Sequence, residues 1–309
     1  MAPTAPIPTE AELRWYPRPG PLTDLSAHAE HLRGLPEDLA SLCGVVQGVL
    51  LHGHLGALYG LELAAERRHT ELNLRSADQR LAVLLERDDA PLIEPRPPAQ
   101  RQLGTCRDFT LLLCALLRWQ GRAARARCGF GGYFVPGLYE DHWVCEIWDE
   151  DLERWRLVDA QIDEIQRRLF GPKDPLDVRR DEFIVGGEAW EGCRAGRFET
   201  SRFGLSSIHE SGLWFVCGDF VRDVAALNKV ELLPWDMWGV MLHPVLGAEP
   251  IALGADEVLA RLPAADLDEL DRVALLASGH VDLPALRRAY RAPRWQVPAA
   301  HPALAGIST

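Results

Sequence analysis

One helix followed directly by three strand-like segments limits the folds open to this sequence, and a single cysteine begins that helix. In "RQLGTCRDFTLLLCALLRWQ", residues 101–120, a polar loop containing glycine gives way at Cys106 to an apolar stretch. The stretch predicts a helix from Cys106 to about Gln120, and Gly121 is typical of a left-handed helix cap. The segments "RAARARCGFGGYFVP", "HWVCEIWDE" and "RWRLVDAQI" are rich in aromatic and branched residues and predict three strands. This order predicts an α+β core.

Charge and composition exclude several classes of protein. Asp and Glu number 45 against 33 Lys and Arg, so the net charge of -12 argues against nucleic acid and anionic membrane surfaces as partners. No segment approaches the roughly 18 uninterrupted apolar residues of a membrane span. The amino end shows no secretory pattern, and the 7 cysteines include no Cys-x-x-Cys pair, which disfavours a disulfide framework. These features predict a reduced, cytoplasmic protein.

Four consecutive segments are predicted along the chain. Residues 1–21 are rich in proline and predict a flexible arm. Residues 22–95 carry apolar residues at helical spacing and predict an amino-terminal helical part. Residues 96–170 hold the helix and the three strands. Residues 171–309 predict a carboxyl-terminal extension that is mixed and then helical.

The second and third strands predict a hairpin that brings a histidine and an aspartate together. If its turn is centred between Glu150 and Asp151, His142 lies directly opposite Asp159, and Glu146 lies opposite Trp155. Directly opposed residues share a face of the sheet, with side chains about 5 Å apart. A slip of one residue in this register would turn Asp159 to the other face.

Cys106, His142 and Asp159 together have the chemistry of a catalytic triad. A carboxylate beside a histidine fixes its tautomer and stabilises the imidazolium, which in turn holds a nearby thiol as thiolate. The start of a helix also stabilises a thiolate through its backbone donors and its dipole. The sequence therefore predicts that Cys106 attacks, His142 transfers the proton and Asp159 orients the ring. The alternative is that Cys106 is a small buried residue at a helix start.

The runs "GTCRDFTLLLCALLRWQGRAARARCGF", "DHWVCEIW" and "RWRLVDAQ" resemble the catalytic core of the transglutaminase-like superfamily, a branch of the papain-like cysteine enzymes. The resemblance covers about residues 100–161 and implies a nucleophile helix packed on an antiparallel sheet, here with amino-terminal helices and a carboxyl-terminal extension. Matched residue by residue, it implies Cys106 as nucleophile, His142 as general base and Asp159 as third member. Two positions depart from the family pattern. "GRAAR" stands in place of an isoleucine-proline pattern, and Ala160 stands in place of proline. These departures bear on the subfamily and touch none of the three catalytic residues.

The resemblance also implies an oxyanion stabiliser and a substrate cleft. The backbone amide of Cys106 is the first candidate donor, because helix starts present free N–H groups. The second donor stays open among three amides: Gln47, Gln100 and Gln102. Five residues are candidates for contact with substrate: Gln47, Arg107, Trp143, Trp235 and Asp236. Asp108, in the first turn of the helix, is explained by its interaction with the helix start.

The remaining cysteines and the histidine-rich segment predict no further chemistry. Six cysteines are interpreted as structural, three within apolar or strand segments and three without a base nearby in sequence: Cys114, Cys128, Cys145, Cys43, Cys193 and Cys217. The histidines of "HGHLGALYGLELAAERRH" lack a carboxylate or cysteine that would complete a tetrahedral metal site. We expect no metal, no calcium dependence and no organic cofactor.

These observations predict an acyl-transfer enzyme. Cys106 would form a thioester from a carboxamide, peptide or small-molecule thioester donor, and water or an amine would resolve it. Hydrolysis as an amidase or peptidase is the first expectation. An amide-bond-forming acyltransferase of a biosynthetic pathway is the alternative. A non-catalytic protein that binds a peptide or a partner, or a structural scaffold, is the alternative of another class.

Overall fold

The computed structural model of the chain describes residues 8–242, 261–305 and 307. Their contacts divide them into two compact units. The first unit contains residues 8–126 and 144–178, and the second contains residues 127–143, 179–242 and 261–305. The two units therefore alternate along the chain. Residues 1–7 of the predicted arm, and residues 243–260, 306, 308 and 309 of the predicted extension, lie outside the described residues.

The described residues form an α+β fold. Its helices are α1 (Glu10–Trp15), α2 (Leu39–Val49), α3 (Ala65–Glu71), α4 (Ala77–Arg87), α5 (Cys106–Trp119), α6 (Gly186–Arg194), α7 (Leu213–Leu227), α8 (Ala264–Ala277) and α9 (Leu283–Tyr290). Its strands are β1 (Leu50–His52), β2 (Gln102–Gly104), β3 (Ala124–Gly131), β4 (Tyr139–Asp149), β5 (Arg154–Val158), β6 (Phe183–Val185), β7 (Phe203–Leu205) and β8 (Glu210–Ser211). No helix among these is long and apolar enough to cross a membrane.

The amino-terminal segment differs from the predicted flexible arm. Thr9 and Glu12 cap α1 reciprocally, and Glu12 is buried, where its carboxylate accepts a hydrogen bond of 2.8 Å from the guanidinium of Arg125. The same guanidinium donates to Glu146 at 2.6 Å and lies 3.9 Å from the ring centroid of Trp155. A buried charge held by two partners and an aromatic face resists displacement. This network anchors residues 10–15 within the first unit.

Residues 22–95 contain the helices α2, α3 and α4. Asp38 caps α2 by accepting a hydrogen bond of 2.8 Å from the amide of Ser41, and Ser76 with Gln79 forms a capping box at α4. These side chains satisfy amides that a helix start leaves without intrahelical partners. The sequence does not predict the short β1, which follows α2 directly and pairs in parallel with β2.

Helix α5 begins and ends where the sequence predicts. Its apolar side chains are buried along most of its length. The carboxylate of Asp108 accepts a hydrogen bond of 2.7 Å from the amide of Thr105, the residue that precedes the helix. After Gln120 the chain turns at Gly121 with a φ of 74°, a conformation that glycine adopts without strain.

The larger sheet is mixed, which corrects the prediction of an antiparallel sheet. Strands β6, β3, β4, β7 and β8 are neighbours in that order, and β5 also pairs with β4. The β4–β5 and β3–β6 pairs are antiparallel, whereas β4 and β7 are parallel. Gly129 permits the close approach of β3 and β6, because a Cβ there would lie 2.2 Å from the carbonyl oxygen of Ile184.

The register of the β4–β5 hairpin differs by two positions from the predicted one. Glu146 lies opposite Leu157 rather than Trp155, and the pairing ends at Cys145 and Val158. The turn spans residues 150–153, so its centre lies one residue later than predicted, and Glu153 has a φ of 49°. The predicted direct pairing of His142 with Asp159 is therefore wrong. Because the shift is an even number of residues, the alternation of faces along each strand is as predicted.

Candidate active site

Cys106 is the first residue of α5, at the end of the loop that leaves β2. It is buried but 8% of its surface remains exposed. Thr105 precedes it in an extended conformation, with φ of -103° and ψ of 175°. A side chain at this position lies beside the first backbone amides of the helix, which carry the positive end of the helix dipole.

A buried cluster of charges holds the first turn of α5 in place. The carboxylate of Asp108 accepts from the guanidinium of Arg80 at 2.7 Å and from that of Arg107 at 2.8 Å. Arg107 also donates to the carbonyl oxygen of Arg75 at 2.6 Å and is fully buried. Arg107 therefore helps to position the helix start, and its contact with substrate stays a prediction.

His142 lies on β4 within an aromatic surround in the second unit. The imidazole is buried, and its centroid lies 4.7 Å from the ring of Phe134 and 5.9 Å from the ring of Tyr133. Phe183 of β6 approaches it at 6.3 Å. Rings that pack edge to face on an imidazole restrict its rotation. The aromatic surround therefore presents the ring in one orientation.

Asp159 lies in the first unit, directly after β5, and is buried. Its amide donates to the carbonyl oxygen of Pro175 at 2.8 Å, and its carboxylate accepts from the amide of Gln161 at 3.1 Å. The side-chain amide of Gln47 donates to the carbonyl oxygens of Ala160 and Ile162 at 3.1 and 3.3 Å. Gln47 thus secures the loop that carries Asp159.

The structure describes the three predicted catalytic residues within their own units. Cys106 and Asp159 belong to the first unit and His142 to the second. Each is buried on a structured element or directly beside one. Their convergence in one cleft stays a prediction.

The three glutamines predicted as second oxyanion donors have different surroundings. Gln102 is buried, and its amide both donates to the backbone of Arg80 and accepts from the guanidinium of that residue. Gln100 is exposed. Both donors of the Gln47 amide already bind carbonyl groups of the Asp159 loop. The side-chain amide of Gln102 is therefore already hydrogen-bonded to Arg80. The side-chain amide of Gln47 would have to break a hydrogen bond to one of these carbonyl groups before it could donate to an oxyanion.

The remaining predicted substrate contacts separate into buried residues and one that lines a cavity. Trp143 is fully buried, and Asp236 is buried with its carboxylate accepting from the amide of Leu233 at 3.1 Å. Their contact with a substrate stays a prediction. Trp235 is 45% exposed and lines a cavity of the second unit.

Burial suppresses the reactivity of most other thiols. It raises the pKa of the Cys43, Cys193 and Cys217 thiols to about 12, and the charge of Asp159 adds to the effect at Cys43. Cys114 and Cys145 are buried with their sulfur atoms 3.4 Å apart, and no disulfide joins any of the cysteines, all of which lie among the described residues. Thiols with such raised pKa values are poor nucleophiles at neutral pH. The structure is consistent with the structural roles predicted for these residues.

Sequence reasoning missed a polar cluster in the second unit. Cys128 of β3, Asp141 of β4 and Asp219 of α7 place one side-chain atom each within 4.8 Å of one another. The sequence pattern around Cys128 predicts only an apolar strand residue, and it assigns no role to the two aspartates. Strand alternation did carry one signal, because Asp141 directly precedes His142 and must face the opposite side of β4.

Comparisons with known proteins add one structural neighbour. No family model matches the sequence, and the search of curated proteins finds no match. Among solved structures, the chain is similar to a candidate cysteine protease from Cytophaga hutchinsonii, with 16% sequence identity and a TM-score of 0.34. The similarity covers 57% of this chain and 46% of that protein, so the chain spans just under half of the neighbour's length.

Proposed function

We propose that this protein is a cysteine-dependent acyl-transfer enzyme of the transglutaminase-like type, with a papain-like core. Cys106 is the nucleophile, His142 the general base and Asp159 the residue that orients the imidazole. The acyl donor is a carboxamide, a peptide or a thioester.

The position of Cys106 carries the proposal. It begins a helix of 14 residues whose first turn is held by the buried pairs of Asp108 with Arg80 and Arg107. A rigid helix start stabilises a thiolate and also presents amides to an oxyanion. Cys43, Cys193 and Cys217, in contrast, have pKa values raised to about 12. The chain therefore favours one thiol as the reactive one.

The surroundings of His142 and Asp159 suit their proposed roles. The aromatic rings around His142 restrict the imidazole and keep water away from it, which favours a defined proton transfer. Asp159 is held on both sides by backbone hydrogen bonds, to Pro175 and from Gln161. A carboxylate fixed in this way can hold an imidazole in one tautomer and stabilise its charged form.

In the proposed reaction the thiolate of Cys106 attacks the donor carbonyl, and the amide of Cys106 stabilises the developing oxyanion. The carbon–nitrogen bond of an amide donor then breaks, and His142 gives its proton to the leaving amine. A thioester of Cys106 remains. Water or a second amine, deprotonated by His142, attacks the thioester, the carbon–sulfur bond breaks, and the acyl product leaves with Cys106 returned as thiolate and the proton on His142. The sequence of steps is the same for hydrolysis and for amine transfer until the thioester is resolved.

The decisive experiment is the intact mass of the protein after incubation with glutamine peptides and with acyl thioesters. Wild type should gain the mass of one acyl group, and Cys106→Ala should gain none. Cys193→Ala is the matched control, because Cys193 is 9% exposed against 8% for Cys106, and it should be acylated like wild type. Decay of the adduct in water alone would identify a hydrolase, and decay only with added amine would identify an amine acyltransferase.

Two outcomes would contradict the proposal. The first is acylation of Cys106→Ala to the same extent as wild type. The second is full acylation of His142→Ala at the wild-type rate, because removal of the general base should slow the reaction by about 100-fold or more. Absence of any adduct across the panel, with tight binding of a peptide, would favour the binding-protein alternative.

A further inference from the structure

The second unit contains a cavity that the proposed reaction does not use. It has a volume of about 500 Å³, within the range of small-molecule sites. Its walls are mainly apolar and come from the residues after β7, from α7 and from the segment that follows α7. They include Trp214, Phe215, Trp235 and Met237. Trp235 and Met237 remain partly exposed at the cavity, as an entry route requires.

Charged groups of three elements meet at this apolar cavity. Asp141 of β4 and Arg222 of α7 both line it, and Glu210 of β8 lines it as well. Arg222 donates to the carboxylate of Asp219 at 3.2 Å, so the guanidinium is already paired with a neighbour on its own helix. Asp141 and Glu210 leave the lining with an excess of negative charge.

The buried oxygens of the two aspartates lack part of their hydrogen bonding. Among the described residues, Oδ1 of Asp141 and Oδ2 of Asp219 are buried atoms without a hydrogen-bond partner. Asp219 is almost fully buried, and the two side chains lie within 4.8 Å of each other and of Cys128. Two carboxylates so close repel each other when both are ionised. Burial raises the pKa of Asp141 to about 6 and that of Asp219 well above its ordinary value. A bound cation would relieve both the repulsion and the missing hydrogen bonds.

The charge balance favours a monocation over a divalent metal. Asp141, Glu210 and Arg222 line the cavity and together carry one net negative charge when both carboxylates are ionised, which one ammonium group neutralises. A divalent metal would leave an excess of positive charge beside Arg222 unless Asp219 or Cys128 also lost its proton, and burial opposes ionisation of Asp219. Burial raises the pKa of the Cys128 thiol well above its ordinary value and opposes that loss. The aromatic walls also suit an organic cation, because the faces of tryptophan rings attract positive charge.

We propose that this cavity binds a small hydrophobic amine, with its ammonium group paired to Asp141 and its apolar body packed against Trp214, Trp235 and Met237. Neighbouring residues on a strand face opposite sides, so Asp141 faces away from His142. The amine site is therefore distinct from the proposed general base. The inference stands whether or not Cys106 proves to be a nucleophile.

Calorimetric titration of the full-length protein with two matched probes tests the proposal. 2-Phenylethylamine and 2-phenylethanol have the same apolar body and differ in the charged group. At pH 7.5 wild type should bind the amine at least about tenfold more tightly than the alcohol, as expected of a hydrogen bond to a charged partner. Equal affinity for the two probes would overturn the proposal, and this comparison needs no variant.

Variants locate the site and separate it from the proposed reaction. Asp141→Asn should lose the preference for the amine, whereas Glu199→Gln should keep it. The second change removes the same charge at an exposed position of the same unit, outside the cavity lining. Cys106→Ala should bind the amine as wild type does, so failure of the catalytic proposal would not imply failure of this one. An undiminished preference in Asp141→Asn would overturn the assignment.

The amine affinity should also depend on pH. The titratable and charged groups near Asp141 come from four elements. Two are its neighbours on β4, and the others are on α7, β3 and β8: Glu140, His142, Asp219, Arg222, Cys128 and Glu210. Because the pKa of Asp141 is about 6, we expect the amine to bind about tenfold more weakly at pH 5 than at pH 7.5, while the alcohol affinity stays constant. An amine affinity that does not change over this range would contradict the pairing with Asp141.

Discussion

Cys106 and Cys193 have almost the same accessibility, 8% and 9%, but opposite positions on their helices. Cys106 begins α5, where the helix dipole favours a negative charge, whereas Cys193 is the penultimate residue of α6, where it disfavours one. Burial raises the pKa of the Cys193 thiol to about 12. The two cysteines therefore form a matched pair in which access is equal and activation differs. Labelling with iodoacetamide measures that difference.

The expected rate ratio follows from the fraction of each thiol that is ionised. At pH 7 a thiol with a pKa of about 12 is ionised to about one part in 10⁵, and a thiol with the ordinary pKa of about 8.5 to about 3%. The more basic thiolate is intrinsically more nucleophilic, with a Brønsted slope of about 0.45, which reduces this roughly 3000-fold advantage to roughly 80-fold. Cys106 is as buried as Cys193, so this advantage requires that the helix start and, in the proposed mechanism, His142 offset the cost of burying its thiolate. We expect Cys106 to react at least about 100-fold faster than Cys193.

The assay is peptide mass spectrometry of the native protein at pH 6, 7 and 8, with the rate at each cysteine measured separately. An activated thiol should change its labelling rate by less than about tenfold over this range, whereas an ordinary thiol changes by nearly tenfold per pH unit. His142→Ala should restore the steep dependence at Cys106. A ratio of Cys106 to Cys193 below about tenfold, or a steep profile at Cys106 in wild type, would refute the reasoning.

Three further predictions concern stability. Asp223 accepts two parallel hydrogen bonds from the guanidinium of buried Arg127, at 2.9 and 2.8 Å. Asp223→Ala should therefore lower the free energy of unfolding by about 3–5 kcal/mol in chemical denaturation. Asp181→Ala removes an exposed carboxylate and should leave Tm unchanged. Gly129→Ala should lower the free energy of unfolding by about 1–3 kcal/mol, because the added methyl group forces β3 and β6 apart. Gly44→Ala, in open space on α2, should raise it by about 0.5–1 kcal/mol. Equal effects of the two substitutions would contradict the strand contact. Burial raises the pKa of Asp141 to about 6, so the fold loses stability as pH rises from about 4 to above 6 and this carboxyl ionises. Asp141→Asn removes that charge. In differential scanning fluorimetry it should therefore raise Tm at pH 7 and leave Tm unchanged at pH 4.

Local patterns predicted the parts of the fold that depend on neighbours in sequence. The apolar run after Cys106 predicts α5 with its end at Gly121, and the aromatic and branched segments predict β3, β4 and β5. These elements form because the period of the side chains decides which backbone geometry can bury them. The structural interpretation of Cys43, Cys193 and Cys217 also agrees with their burial and raised pKa values.

Predictions that depended on the register or on distant contacts were less accurate. The β4–β5 pairing is shifted by two positions because the turn of residues 150–153 ends on Glu153 in a left-handed conformation. Glutamate rarely adopts this conformation, so the sequence does not predict it. Nothing in the sequence indicated that Arg107 pairs with Asp108 in the interior, and its predicted contact with substrate stays a prediction. The expected flexible arm contains α1, because Glu12 finds Arg125 on β3, more than a hundred residues away.

The sequence alone determined that a cysteine begins an apolar helix, that a strand with a histidine and a strand leading to an aspartate follow, and that the chain belongs to the α+β class. It could do so because propensity and period act over a few residues. Only the tertiary structure decided which charges are buried together. Asp141 and Asp219 meet beside Cys128 although 78 positions separate the two aspartates, and no local pattern encodes that approach. The physical reason is that the electrostatic character of a carboxylate depends on the groups around it in space, which the packing of α7 on the sheet supplies.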